Sequence, residues 1–163
     1  MTAKTGSLPA LAGRINQVLM DIDRIVQRAE SLLTKSRRTG DEGYMDGVAL
    51  NLHSFYTAIE SIFEDIARTV DDALPEGANW HQELLLQMSA DLAGLRPRVI
   101  RRTTRDCLDE YRAFRHLVRN VYTFNLRPKR LSDLVDGMRA CFTDLHEDLA
   151  EFGRFLKAVD ESS

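Results

Sequence analysis

The sequence predicts an all-α protein, an up-down bundle of about five helices. Three observations carry that expectation. Apolar residues recur at intervals of three and four instead of alternating. The breakers Gly40, Pro75-Glu76-Gly77, Gly94 with Pro97, and Pro128 are widely spaced and leave helix-length segments between them. No alternating strand pattern, Asn-Gly hairpin or internal repeat interrupts the periodicity. At 163 residues, 44% hydrophobic and 29% charged, the chain can bury a core of its own. It is read as one helical domain over 1–163, with 1–7 and 160–163 as loose ends.

The first helix carries the stripe Leu11, Ile15, Val18, Ile22, Ile25, Ala29 and Leu32. Ser7 is its candidate N-cap, Pro9 fits the first turn, and Arg37, Arg38 and Gly40 supply a basic end and a stop. A second helix starts near Asp41, with Met45, Val48, Leu52, Phe55, Ile59, Ile62, Ile66 and Val70 on one face. At 1.5 Å per residue, each of these two helices spans roughly 40 Å. Asn79 with Gln82 resembles a capping box for a shorter third helix bearing Trp80, Leu84, Met88 and Leu92. Thr103 with Asp106 can cap a fourth, running to about Phe124. The fifth is the most regular, from Leu131 through Leu134, Met138, Cys141, Leu145, Leu149 and Phe152 to Val159. Stripes that keep a 3.5-residue spacing over several turns predict burial between subunits as readily as within one.

Several chemistries are excluded. The sequence has no GxxxxGK[ST] or GxGxxG loop, no HExxH and no GxSxG. A di-metal carboxylate site in a bundle needs Glu-x-x-His on two helices. The residues three before His53, His81, His116 and His146 are Leu50, Ala78, Ala113 and Thr143, so no metal or other cofactor is expected. His53 and His81 read as surface or boundary residues. Cys107 and Cys141 have no metal or redox spacing, and the plain expectation is a pair of reduced thiols in a cytoplasmic protein. Met1–Ala12 lacks the apolar run of a signal peptide, and no stretch is apolar enough for a membrane span.

The net charge of −3 hides strong segregation. Residues 1–40 carry +4, 41–95 carry −10, 96–130 carry +8 and 131–163 carry −5. The basic block is almost entirely arginine, and charge asymmetry of this kind marks where a partner binds. Within it, Tyr111–Tyr122 can be placed on a helical wheel at 100° per residue. With Arg115 as zero, Arg119 falls at about 40°, Arg112 at about 60°, Tyr122 at about −20° and Tyr111 at about −40°. Phe114, Leu117, Val118 and Val121 cluster between about 200° and 300° and form the expected core face. His116 and Asn120 stack on the shoulder between. Two readings of the arginine face stay open. Either it pairs with the acidic residues of 41–95, in the same chain or a dimer mate, or it is an anion site, since guanidinium forks suit bidentate phosphate recognition.

The stretch Arg115-His-Leu-Val-Arg-Asn-Val-Tyr122 resembles the HEPN superfamily, in particular the HepT-like toxins of bacterial toxin–antitoxin pairs. Their motif is Arg, four to six residues, His, one residue, Tyr, with a polar residue often following the Arg. Arg115, His116, Asn120 and Tyr122 occupy those places, and the segments GVALNLHSFYTAIESIFEDIA and ALPEGANWHQELL strengthen the match. The likeness extends over roughly residues 10–158.

The resemblance implies a helical-bundle homodimer that joins two motifs in a basic cleft and cleaves RNA without a metal. Arg115 would stabilise the phosphorane formed when a ribose 2′-OH attacks its phosphate, with Arg112 and Arg119 binding RNA. The motif histidine is Asn120 here, and an amide cannot transfer a proton near neutral pH. His116 is the nearby surrogate. The resemblance also implies a partner, a minimal nucleotidyltransferase antitoxin that transfers AMP to the motif tyrosine. Tyr122 fits that position; a half-buried tyrosine that only packs is the alternative. Three functions are compatible with these residues: a toxin-type metal-independent endoribonuclease, a non-catalytic module that keeps the nucleotidyltransferase partner, or a helical scaffold without a nucleic-acid role.

Overall fold

The structure, a computed structural model, describes residues 7–120 and 126–163, and for Arg119 and Asn120 it describes the backbone alone. The described residues form five α-helices and no strand: α1 (Ser7–Thr39), α2 (Tyr44–Ile66), α3 (Trp80–Met88), α4 (Arg102–Asn120) and α5 (Pro128–Glu161). The all-α bundle expected from the periodicity is what the chain builds.

α1 buries Leu8, Leu11, Ile15, Leu19, Ile22, Val26, Ala29 and Leu33, while Val18, Ile25 and Leu32 sit half-buried beside them. Its end is set by Gly40, at φ +72°, whose N–H reaches the Ser36 carbonyl. α2 is the central helix and packs on all the others. Every stripe residue predicted for it is buried, and Ala49, Tyr56, Glu60 and Phe63 are buried as well. Gly47 permits close approach of α1: a Cβ there would lie 2.9 Å from Leu32 Cδ1.

The last turn of α2 widens into a π-helical segment, Ala67–Asp71, which Asp72 closes in a left-handed conformation. Asp71 receives the Arg96 guanidinium at 2.5 and 2.7 Å, in a pair shut off from solvent. Arg96 also donates to the carbonyls of Gln87 and Ala90. This cluster explains why α3 stops at Met88 and leaves Leu92 outside it. The Met88 carbonyl accepts Val99 and Ile100 N–H groups, and the chain doubles back through a Leu92–Arg96 bridge. The expected capping box does not form: Asn79 stands at the N-cap without a side-chain capping bond.

α4 starts one residue before Thr103 and is capped at long range. Asp148 of α5 accepts the Arg101 N–H at 3.0 Å, Arg101 Nε at 2.6 Å and the Thr104 hydroxyl at 2.6 Å. α4 and α5 run antiparallel, since Arg101 meets Asp148 and the Tyr111 hydroxyl donates to the Leu134 carbonyl. Between those contacts Cys107 and Cys141 are joined as a disulfide, with Sγ atoms 2.32 Å and Cα atoms 6.0 Å apart. This corrects the expectation of two free thiols. Thirty-four residues separate the cysteines in sequence, and only the α4–α5 pairing brings them together. Surface ion pairs line the other seams, Arg139 with Asp23 and Glu30 between α5 and α1, and Arg14 with Asp65 between α1 and α2. No described helix is long and apolar enough to cross a membrane.

Candidate functional site

The face that α4 buries is set by Thr104, Leu108, Tyr111, Phe114 and Arg115, all buried, with Val118 half-buried behind them. Thr104 and Leu108 lie within about 20° of Arg115 on the helical wheel. The interior-facing direction is therefore Arg115's own. This corrects the expected orientation: Leu117, placed in the core by the wheel, is 45% exposed, while Tyr111 and Arg115, placed on an open face, are sealed in. The physical reason is that Leu117 and Val121 pull the apolar average of residues 111–122 away from the direction that Thr104 and Leu108 set for the whole helix. Val121 lies outside the described residues.

A buried guanidinium requires partners, because an unpaired charge in the interior is prohibitively costly. Arg115 Nη2 donates to Glu60 Oε1 at 2.7 Å, Nη1 reaches Thr57 Oγ1 at 3.5 Å, and the guanidinium lies 5.1 Å from the centre of the Tyr56 ring. Glu60 is 4% and Arg115 5% exposed, so the pair is internal. The pairing of basic block and acidic 41–95 segment is realised here inside one chain, as it is for Arg96 with Asp71. Burial drives the Tyr56 phenol above its ordinary range, and the Glu60 charge adds to that while Arg115 and Arg112 oppose it.

His81 completes the cluster from α3. Its Nδ1 lies 2.7 Å from Glu60 Oε2 and 2.8 Å from Arg115 Nη2, and its ring stacks on Trp80 at 3.7 Å between centres. Three helices thus bring Glu60, His81 and Arg115 together. Above them opens a pocket of about 240 Å³, lined by Asn79, His81, Gln82, Arg112, Arg115 and His116. Arg112 is turned toward Asp109, with Nε to Oδ1 at 2.7 Å. His116 is exposed at the rim.

Of the residues expected at a site, Arg112, Arg115 and His116 share this pocket. Arg119 and Asn120 continue α4 by its last turn, with their side chains outside the description, and Tyr122 lies outside the described residues. Tyr111, expected to flank the arginines, is instead pinned in the core; burial and the Glu110 charge push its phenol above the ordinary range, against Arg130.

Sequence reasoning missed Glu60 and His81. Glu60 carried a readable signal: it stands between Ile59 and Ile62 in the second helix's buried stretch, and a carboxylate there demands an internal cation. His81 carried none beyond its neighbour Trp80. Among the described residues no His, Cys, Asp and Glu side chains are grouped as metal ligands.

The chain is thus an all-α helical bundle with one polar pocket that two arginines and two histidines line. A family model described as HepT-like protein matches residues 47–156, more than half of the chain, and the protein belongs to that family. The matched span includes Glu60, His81, Arg115 and the Arg115–Tyr122 stretch. No curated protein and no solved structure matches the chain.

Proposed function

We propose that this HepT-like protein is the toxin component of a toxin–antitoxin pair and cleaves RNA without a metal, as a cytoplasmic homodimer whose cleft joins two copies of the α4 motif. The observation that carries this reading is the pocket over Arg115, where Arg112, His81 and His116 converge on space for a phosphodiester. Arg115 lends its charge from below, held by Glu60, and Arg112 and Arg119 engage the RNA backbone. His116 stands in for the histidine that Asn120 replaces. Electrostatic stabilisation of the phosphorane by a fixed cation is the largest contribution expected.

The test is to express the protein alone, score growth arrest, and follow the integrity of mixed cellular RNA. Cleavage that His116→Ala abolishes and Asn120→His raises supports the reading. If the starting protein and the Asn120→His variant are both inert, the non-catalytic partner module takes its place.

A further inference from the structure

We propose that His81 is the general base of this site and that Glu60 is its positioning residue. The assignment rests on the RNA-cleavage reading above and names a group that lies 34 positions before Arg115, outside the motif stretch. The contact with Glu60 selects the tautomer assigned here. Nδ1 faces a carboxylate oxygen at 2.7 Å, and a ring lone pair turned toward that oxygen would be repelled. Nδ1 therefore carries the proton and donates it to Glu60 Oε2. Arg115 Nη2 donates to the other oxygen, Oε1, at 2.7 Å. Arg115 Nη2 also stands 2.8 Å from Nδ1, a contact that the Nε2–H tautomer would satisfy, so the NMR measurement below decides between the two. With Nδ1 committed to Glu60, the lone pair resides on Nε2 of a ring that lines the pocket. The Trp80 ring, tilted 31° to it with centres 3.7 Å apart, packs against the imidazole and restricts its rotation. A carboxylate behind a histidine whose second nitrogen meets substrate is the arrangement that fixes tautomer and orientation in proton-transfer sites.

The step balances within one phosphodiester. Nε2 takes the proton from a ribose 2′-OH, an O2′ lone pair forms the O2′–P bond, and the P–O5′ bond breaks with its electron pair going to O5′. That oxygen takes a proton from the His116 imidazolium, leaving a 2′,3′-cyclic phosphate and a 5′-hydroxyl. Proton exchange with water returns both rings to their starting states. Arg115 bears on the charge that gathers at phosphorus.

The probe is a single-stranded oligoribonucleotide of mixed sequence. His81→Ala, whose circular dichroism is expected to match the parent, should cleave about 10²–10⁴-fold more slowly, and added imidazole should restore part of that loss in this variant alone. Nitrogen NMR of the unligated protein should find His81 as the Nδ1–H tautomer, and Glu60→Gln, measured where circular dichroism shows it folded, should loosen that preference. Parent-like cleavage by His81→Ala, or a loss that imidazole does not relieve, overturns the assignment while leaving the RNA reading intact. An Nε2–H tautomer in the parent does the same. An inert parent protein overturns both.

Discussion

A glutamate and an arginine buried together are seldom a net source of stability, because desolvating both charges consumes most of what their attraction returns. Glu60 and Arg115 meet this description, and their hydrogen bonds to His81 and Thr57 make them more useful as a fixed framework than as a clamp. Removing one partner should be far worse than removing both. Glu60→Gln is expected to cost about 3–5 kcal/mol in urea unfolding, whereas Glu60→Leu with Arg115→Met should come within about 1 kcal/mol of the parent, or exceed it. A double variant as unstable as the single would show that the pair itself holds the fold together. The buried tyrosines give a second expectation. Tyr56 and Tyr111 have phenol pKa values raised above 10 in the fold, each chiefly by burial. Their contribution to stability is complete below pH 10 and disappears as pH climbs toward the raised folded values. Spectrophotometric titration should therefore show these two, of four tyrosines in the chain, ionising only at or after alkaline unfolding. Four phenols titrating together near pH 10 in a folded protein would contradict the burial.

At the scale of elements, α4 is the piece on which the site depends, and it is fastened at three levels. Asp148 caps its start, the Cys107–Cys141 link holds its second turn, and the Tyr111 hydroxyl ties its middle to Leu134. Arg115 comes one turn beyond Tyr111, so its placement against Glu60 inherits the rigidity of these contacts. Closing a loop across 34 residues should stabilise by about 3–4 kcal/mol in the chain-entropy account. Denaturant unfolding with and without a thiol reductant checks this, with Cys141→Ser as the permanent form. An unchanged midpoint would mean that the two sulfurs pack without bonding. The interior face of α4 was legible only in part: Phe114 and Val118 were placed toward the core, but Tyr111 and Arg115 read from sequence as residues of the open face.

For the whole molecule, the apolar stripes that suggested burial between subunits are mostly accounted for inside one chain, by α2 packing against the other four helices. Light scattering at tens of micromolar should give twice the chain mass, and a monomer there would remove the two-motif cleft. Co-expression with a neighbouring nucleotidyltransferase should add one or more AMP units at Tyr122, lost in Tyr122→Phe, by intact mass. With Tyr111 buried against Leu134, modification at that residue instead is not expected.

The sequence by itself determined the helical class, five elements and nearly all of the second helix's core, because a 3.6-residue period is a local property of the chain. It also marked the stretch from Arg115 to Tyr122, which lies within the span that the family model matches. The tertiary structure alone decided what Arg115 faces, which histidine joins it and where the cysteines go. Those depend on how α2, α3, α4 and α5 meet, and the partners are far apart in sequence: 55 residues from Glu60 to Arg115, 34 from Cys107 to Cys141. A charge on a helix is read from sequence as solvated by default, and only packing reveals that a carboxylate from another helix already occupies the interior opposite it.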